Sequence, residues 1–574
     1  MDQLSKLKTF LKEQKIDYFL LPNSDEFFSE YLQPSEKRVE YLTGFTGSAA
    51  TVIFGQNKSY FFTDGRYILQ AKEQLDLAEF EIINIAQKPL ISWINENISK
   101  QQKLALDAKL VSKNFVDNLN VSLVFLPQNP LNKIWQNRPK KNESPIFLVP
   151  QNLCGQDSLE KRKAVAANIS ADALLITKPE NLCWLLNIRA SDIEFNPLCL
   201  TYAILFKNGE MDFFIDEKRL KNIELAKVNV VQSDCLDLRL AVIRKKNKKV
   251  QVDASSTNYW LYRELEKNGF EIIFKTDPSE ILKAQKNSTE ISGMIKAHEV
   301  DGLALTKFLF WFEKSGAEID EISAAEKLQE IKKENPNFLY PSFATISSFA
   351  SNGAVIHYHA TPKTNKKVAG NSLFLLDSGG QYFGENFCGT TDVTRTVSVG
   401  NPSAEMIENF TRVLKGHIAL ARAKFPRGTS GAQLDALARN PLWLAGKDFD
   451  HGTGHGVGAF LSVHEGPCGI SKRAHQALLE GMILSNEPGF YKDGEYGIRI
   501  ESLMLVEKFD EKFLQFKTLT LAPIDSRLID FKMLTYPEKK WLRSYHETIQ
   551  KTLKPNLNAE ENIWLENLVS SFST

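Results

Sequence analysis

The sequence predicts an α/β (α+β) protein built from two successive units of similar size and a larger third. Three observations carry this. The length, 574 residues, is more than one core usually serves and suits three or four domains. A helix-and-strand pattern runs to about residue 150 and restarts near 160. A long helical segment then opens a third stretch whose apolar runs end in carboxylates. These shifts place the expected domains at 1–150, 151–284 and 285–574.

Composition narrows the class. Apolar residues make up 43% and charged residues 24%, as in an ordinary water-soluble globular chain. Acidic and basic residues balance at 70 each, so charge gives no case for nucleic acid or an anionic membrane as partner. The N-terminus has an acidic residue at position 2 and lacks the basic-then-apolar order of a secretion signal. No apolar run is long enough to span a bilayer. The six cysteines are scattered, with no CxxC pairing, as expected of reduced thiols in a cytoplasmic protein.

The elements follow in order. An amphipathic helix carries Leu4, Leu7, Phe10 and Leu11, and "YFLLP" is a short apolar strand. "GFTGSAATVIF" and "SYFFTDGRYILQA" read as strands broken by glycine turns, with a helix after Asp64-Gly65. The basic, proline-bearing stretch 136–145 reads as a linker or exposed loop. The pattern then restarts with a helix in "EKRKAVAANIS" and strands in "ADALLIT", "LCLTYAILF", "KKNKKVQVDAS" and "GFEIIFKTDPSE". No sequence repeat links the two units.

The third unit holds the chemistry. "SLFLLDSGG" is an apolar strand that delivers Asp377 at its end, before a glycine turn. "GTTDVTRTVSVG" alternates, so Asp392 shares a face with Thr394, Thr396 and Ser398. "MILSNEPGF" ends at Glu487, and "YGIRIESLMLV" puts Arg499 and Glu501 on one face. An acid at the end of a buried strand is costly unless paired or bound to a cation. Four of them, with histidines near, suggest two divalent ions: Mn²⁺, or Co²⁺, Zn²⁺ or Fe²⁺. Such ions, about 3.5–4 Å apart, share a hydroxide as a nucleophile at neutral pH.

Bland readings stand beside this one. A lone Asp at a strand end is a turn or cap residue. His451 and His455 have HxxxH spacing, but Gly452 stands where a zincin needs Glu, and the glycines at 452, 454, 456 and 458 argue against helix. A phosphate loop would need a closing lysine. His357 and His359 in "AVIHYHA" suit the polar face of a half-buried strand, and "TDGRY" at 63–67 suits a plain turn. The joint occurrence is what points to a site.

With those residues on the page, the sequence closely resembles the aminopeptidase P family, the Xaa-Pro aminopeptidases, in their three-domain form. The matching stretches are "FATISSFASNGAVIHYHATP", "DSGGQY", "GTTDVTRT", "HGTGHGVGAFLSVHEGP", "NEPGFYKDGEYGIRIE" and "LTLAPIDSRLID", with "SEYLQPSEKRVEYLTGFTGSAATVIF", "TDGRYILQA" and "WLLNIRASDIEFNP" in the first two units. The resemblance covers essentially the whole chain. It implies two creatinase-like N-terminal domains and a pita-bread catalytic domain. It implies a dinuclear centre, usually manganese, on Asp377, Asp392, His455, Glu487 and Glu501, with Asp392, Glu487 and Glu501 bridging. It assigns His357, His451 and His464 to the substrate carbonyl, proton shuttling and the tetrahedral intermediate, Glu487 to general base, and Arg499 to orienting the carboxylates. His359 and Arg66 are further family positions. The implied substrate is a peptide with proline second, and the implied assembly a homodimer built through the third domain. The proline pocket is expected among Phe490, Tyr491 and Tyr358.

One departure stands out. Between the two aspartates this chain is about four residues longer than the family pattern and carries Cys388; if the extra residues form a hairpin tip, both acids keep their register. The competing readings are a prolidase cutting only Xaa-Pro dipeptides, a methionine aminopeptidase, and a pita-bread protein that binds peptides without metal. The two added α/β units favour the first reading over prolidase and methionine aminopeptidase, and the five occupied ligand positions favour it over the binding module.

Overall fold

The computed structural model describes residues 2–315 and 319–572. The chain folds as two compact units, 1–150 with 156–280, and 151–155 with 281–574.

The first unit holds two six-stranded sheets. The first runs Phe80–Asn84, Ser59–Thr63, Thr51–Gly55, Tyr18–Pro22, Lys103–Leu106, Ser122–Phe125. The second runs Val228–Val231, Met211–Phe214, Tyr202–Phe206, Ala173–Ile176, Lys249–Val252, Glu271–Phe274. Both follow one plan. The strand that comes first in each sheet lies inside it, antiparallel to the next on one side and parallel to a later strand on the other. In each, the third and fourth strands pair in parallel, as do the last two. So the two halves share a topology, although no clear residue repeat links them. The basic stretch near 140 is held down: Lys141 pairs with Glu26, and Arg138 with Glu36.

The second unit opens on helix α1 (Ser288–Lys314), started by a capping box between Asn287 and Glu290. Helix α2 (Glu321–Lys333) and strands β1 (Phe338–Tyr340) and β2 (Ile346–Phe349) lead to a long hairpin, β3 (Ser372–Phe383) and β4 (Cys388–Val399). One edge of β3 pairs with β1 and β2, the other with β4. Helix α3 (Ala404–Ala421), β5 (Lys424–Pro426) and helix α4 (Gly431–Trp443) follow. Then come two short pairs, β6 (Gly454–His455) with β7 (Gly469–Ile470), and β9 (Gly489–Lys492) with β10 (Tyr496–Arg499). A second sheet joins β5, β12 (Phe513–Thr518), β11 (Ser502–Lys508) and β8 (Ile483–Asn486). Helices α5 (Tyr536–Leu553) and α6 (Ala559–Ser570) close the chain and share one apolar core with Val413, Leu414 and Ile498.

Three local expectations change. Asp377 lies inside β3, and Gly379-Gly380 continue the strand instead of turning. The reason is close packing: a Cβ on Gly379 would stand 2.0 Å from Ser342 Oγ and 2.1 Å from the Thr391 carbonyl. "AVIHYHA" is a turn after a 3₁₀ segment, Ala350–Ala354, and not a strand. "YGIRIESLMLV" divides after Arg499 into β10 and β11, which serve different partners.

The six thiols form no disulfide among the described residues, and five are buried. No helix among the described residues is long and apolar enough to cross a membrane.

Candidate metal centre

The hairpin β3–β4 places the first two acids. Its register is unbroken from Ser372↔Val399 to Phe383↔Cys388. Asp377 lies opposite Thr394, two residues from Asp392, so the two carboxylates are diagonal neighbours on one face. The strands run paired up to a short tip at 384–387, so the register at both acids is kept.

The other ligand candidates arrive on separate elements. His455 lies on β6, and Glu487 directly follows β8. A Cβ on Gly454 would stand 2.0 Å from the Ser485 carbonyl, so glycine lets β6 press against β8. The His455 backbone N–H donates to Ser485 Oγ at 3.0 Å, and the Glu487 N–H donates to the Thr453 carbonyl at 2.8 Å. Glu501 sits in the gap between β10 and β11, where its N–H donates to the Thr394 carbonyl at 3.1 Å.

These side chains converge. Three overlapping sets, Asp377–Asp392–Glu501, His455–Glu487–Glu501 and Asp392–His455–His464, each bring their donor atoms within 4.8 Å of one another. His455 Nε2 is 3.4 Å from Asp392 Oδ2 and 3.6 Å from Glu487 Oε1. The His464 ring stands edge-on to that of His455, centroids 4.3 Å apart. His451 Nδ1 is 3.8 Å from Glu487 Oε2, and its Nε2 bonds the Tyr491 hydroxyl at 2.8 Å. Arg499 donates to Asp377 Oδ2 at 2.6 Å, Thr394 Oγ1 at 3.1 Å and the Tyr491 hydroxyl at 2.8 Å. Thr394 Oγ1, accepting from Arg499, donates to Glu501 Oε2 at 2.8 Å. One oxygen each of Asp377 and Glu501 is thus held by the protein.

The electrostatics are those of a site short of positive charge. Burial pushes the Asp377 carboxyl up to about 6 against the pull of Arg499, and Asp392 adds to the rise. Burial, then Asp392, Asp377 and Glu487, drive Glu501 far above the usual carboxylate range. Burial also raises Glu487, partly offset by His455 and Arg499. Burial alone would lower His455, but Asp392 and Glu487 carry it up to about 9. Asp377 Oδ1 is buried and meets no hydrogen-bond donor among the described residues. An orphaned carboxylate oxygen among three more carboxylates and an imidazole is a donor set that fits hard divalent cations.

The remaining expected residues fall as follows. His357 is half-buried and His359 exposed, both after the 3₁₀ segment. Tyr358 leaves the pocket candidates, because its buried hydroxyl donates to Glu321 Oε2 at 2.8 Å. Phe490 packs with the apolar core and Tyr496, while Tyr491 faces the metal centre. Arg66 pairs with Asp64 in the first unit, keeping the plain-turn reading of "TDGRY".

Several supporting residues escaped the sequence. On α4, Asp435 and Arg439 form a buried pair at 2.8 Å. Arg439 also donates to the carbonyls of Phe449 and His451, and Asp435 accepts from Thr453 Oγ1. This fixes the loop from which Glu487 hangs. Glu465, beside His464, is buried between Lys283 and Lys286, each at 2.7 Å. An Asp/Arg pair at i,i+4 beside the buried Leu434, Ala438 and Leu442 was the available signal for the first; the Glu next to His464 was the signal for the second.

Known proteins match the chain along its whole length. Residues 292–508 match metallopeptidase family M24 and 512–572 the C-terminal region of peptidase M24. Residues 3–131 and 137–290 each match the creatinase/prolidase N-terminal domain. The chain is 35% identical to Xaa-Pro aminopeptidase 1 of Dictyostelium discoideum, over 99% of this chain and 96% of that one. It is 32% identical to aminopeptidase P1 of Arabidopsis thaliana, over 98% of each. Among solved structures it resembles an X-prolyl aminopeptidase from Caenorhabditis elegans, described as a cytosolic enzyme with a di-nuclear active site. That likeness has a TM-score of 0.91 and 33% identity and covers 99% of both chains. A prolidase from Pyrococcus furiosus covers only 64% of this chain, with a TM-score of 0.51 and 25% identity.

Proposed function

Since the chain belongs to the Xaa-Pro aminopeptidases, within metallopeptidase family M24, we propose that it removes the N-terminal residue from peptides whose second residue is proline. The carrying observation is the convergence of Asp377, Asp392, His455, Glu487 and Glu501 in a chain that aligns end to end with aminopeptidases. Two divalent cations, for which Mn²⁺ is our choice, would be held by these five residues. Bound, they supply Lewis acidity toward the scissile carbonyl and lower the pKa of water to about 7.

The protein's own groups do the rest. An Xaa-Pro nitrogen carries no hydrogen and its ring obstructs ordinary clefts, so activation must come through the carbonyl. His464, beside His455, and His357 hold that carbonyl and donate to the oxygen as charge develops. Glu487 takes the proton from the attacking water. Glu487 then returns it to the proline nitrogen as the bond breaks. His451, whose Nδ1 donates to the Gly452 carbonyl at 2.7 Å and whose Nε2 meets the Tyr491 hydroxyl at 2.8 Å, stands beside Glu487 to steady the tetrahedral intermediate. Arg499 keeps Asp377 and, through Thr394, Glu501 in place.

Substrate length separates this reading from a prolidase. The purified protein is expected to cleave Arg-Pro-Pro and to leave Ala-Pro essentially intact. Preference for the dipeptide, followed by amino-acid release, would reverse the assignment.

We further assign residues 1–150 and 151–284 as two domains and 285–574 as the catalytic one, and place the enzyme in the cytoplasm as a homodimer. Leu437, Trp443 and Leu444 on and just after α4 support pairing of copies; Leu444 is 83% exposed, a liability for an isolated chain. Leu444→Lys is expected to shift the protein toward monomer in sedimentation velocity. A wild-type protein that is already monomeric would end this reading.

A further inference from the structure

Arg395 breaks the pattern of its own strand. On β4 its neighbours Val393 and Val397 join a core with Phe374, Leu376 and Ala522. Arg395 lies between them, 2% exposed, and among the described residues its guanidinium meets no carboxylate. A buried cation without a counter-ion is costly unless its donors are satisfied. Here they are met almost entirely by carbonyls. Nε donates to Ala522 and Pro523, Nη1 to Thr394 and Glu501, and Nη2 to Ala522 and to the Tyr545 hydroxyl at 2.8 Å.

What these contacts join is informative. Glu501 lies between β10 and β11, outside the strand ladders. It is gripped instead from β4: its N–H by the Thr394 carbonyl, its Oε2 by Thr394 Oγ1 and its carbonyl by Arg395. Arg395 is in turn gripped by the segment after β12 and by α5. The Tyr545 hydroxyl accepts from Arg395 and lies 2.9 Å from the Ala522 carbonyl and 3.1 Å from that of Thr520, to which it donates. The chain beyond residue 512 thereby reaches a metal-ligand candidate through one guanidinium.

We propose that Arg395, braced by Tyr545 and the Ala522–Pro523 carbonyls, is a positioning residue that fixes Glu501 for cation binding. The C-terminal segment is then a working part of the metal centre. This rests on Glu501 being a ligand, as proposed above.

The test uses the full chain stripped of metal, titrated with Mn²⁺ by calorimetry and followed by thermal unfolding without metal. Tyr545→Phe removes one hydroxyl and leaves a ring stacked on Trp541 at 5.1 Å. It is expected to weaken Mn²⁺ binding about tenfold, the usual scale for losing a group that orients a ligand. Arg395→Lys keeps the charge but not the planar fork, and is expected to weaken it by about 10- to 100-fold. Ile549→Val, on the same helix within the apolar core, is the control: it lowers the unfolding temperature and leaves Mn²⁺ affinity within about twofold. Wild-type affinity in Tyr545→Phe overturns the proposal, as does equal weakening by Ile549→Val, which would make stability the cause. If Arg395→Lys does not fold, the other two variants decide. A parent protein that binds no Mn²⁺ would overturn the metal reading and this inference with it.

Discussion

Asp392→Asn is expected to give a folded protein that cleaves Arg-Pro-Pro at least about 10³-fold more slowly than the parent, since losing cation-activated water returns its pKa from about 7 toward 15.7. Asp392 belongs to two of the three converging sets and lies 3.4 Å from His455. Asparagine keeps its shape and removes its charge. The fold is expected to survive, because the β3–β4 register rests on backbone pairing along both strands. Activity within tenfold of the parent would remove Asp392 from the centre.

Mn²⁺ is expected to raise the unfolding temperature strongly at pH 8 and weakly at pH 5. In the metal-free protein Asp377 holds its proton up to about 6, against about 3.9 when unfolded. The folded state therefore binds more protons in between, and stability from this group falls as pH rises from about 4 through about 6. Glu487 and Glu501, both raised, act in the same direction. His455, raised to about 9, gives stability that is complete below its unfolded value and lost as pH rises through about 9. Cations compete with these protons and relieve the repulsion, so their effect grows with pH. At a free concentration a hundred times Kd the gain is about 2.7 kcal/mol. A thermal shift equal at both pH values, or absent, would contradict this electrostatic picture.

The parts legible in the sequence were those written in local pattern. Alternation in "GTTDVTRTVSVG" put Asp392 and Thr394 on one face, and the apolar run before "NEPG" delivered Glu487 at a strand end, as β8 does. The glycines around His455 ruled out helix, and the chain there is a two-residue strand between turns. What stayed hidden depends on contacts between distant segments. Gly379 looks like a turn residue until Ser342 and Thr391 are seen against it. The break between Arg499 and Ser502 follows from two strands finding different partners. Arg395 sits among valines in the sequence, and only the approach of Tyr545 and Ala522 explains a cation there. The likeness of the two N-terminal units was legible only through the resemblance to two creatinase-like domains, since no evident residue repeat marks the pairing order they share.

The most direct test of the account is anomalous diffraction from crystals grown with Mn²⁺. Two peaks are predicted among Asp377, Asp392, His455, Glu487 and Glu501, about 3.5–4 Å apart, with Asp377 Oδ1 directed at one of them. Manganese bound elsewhere, or no peak within reach of these five side chains, would contradict it.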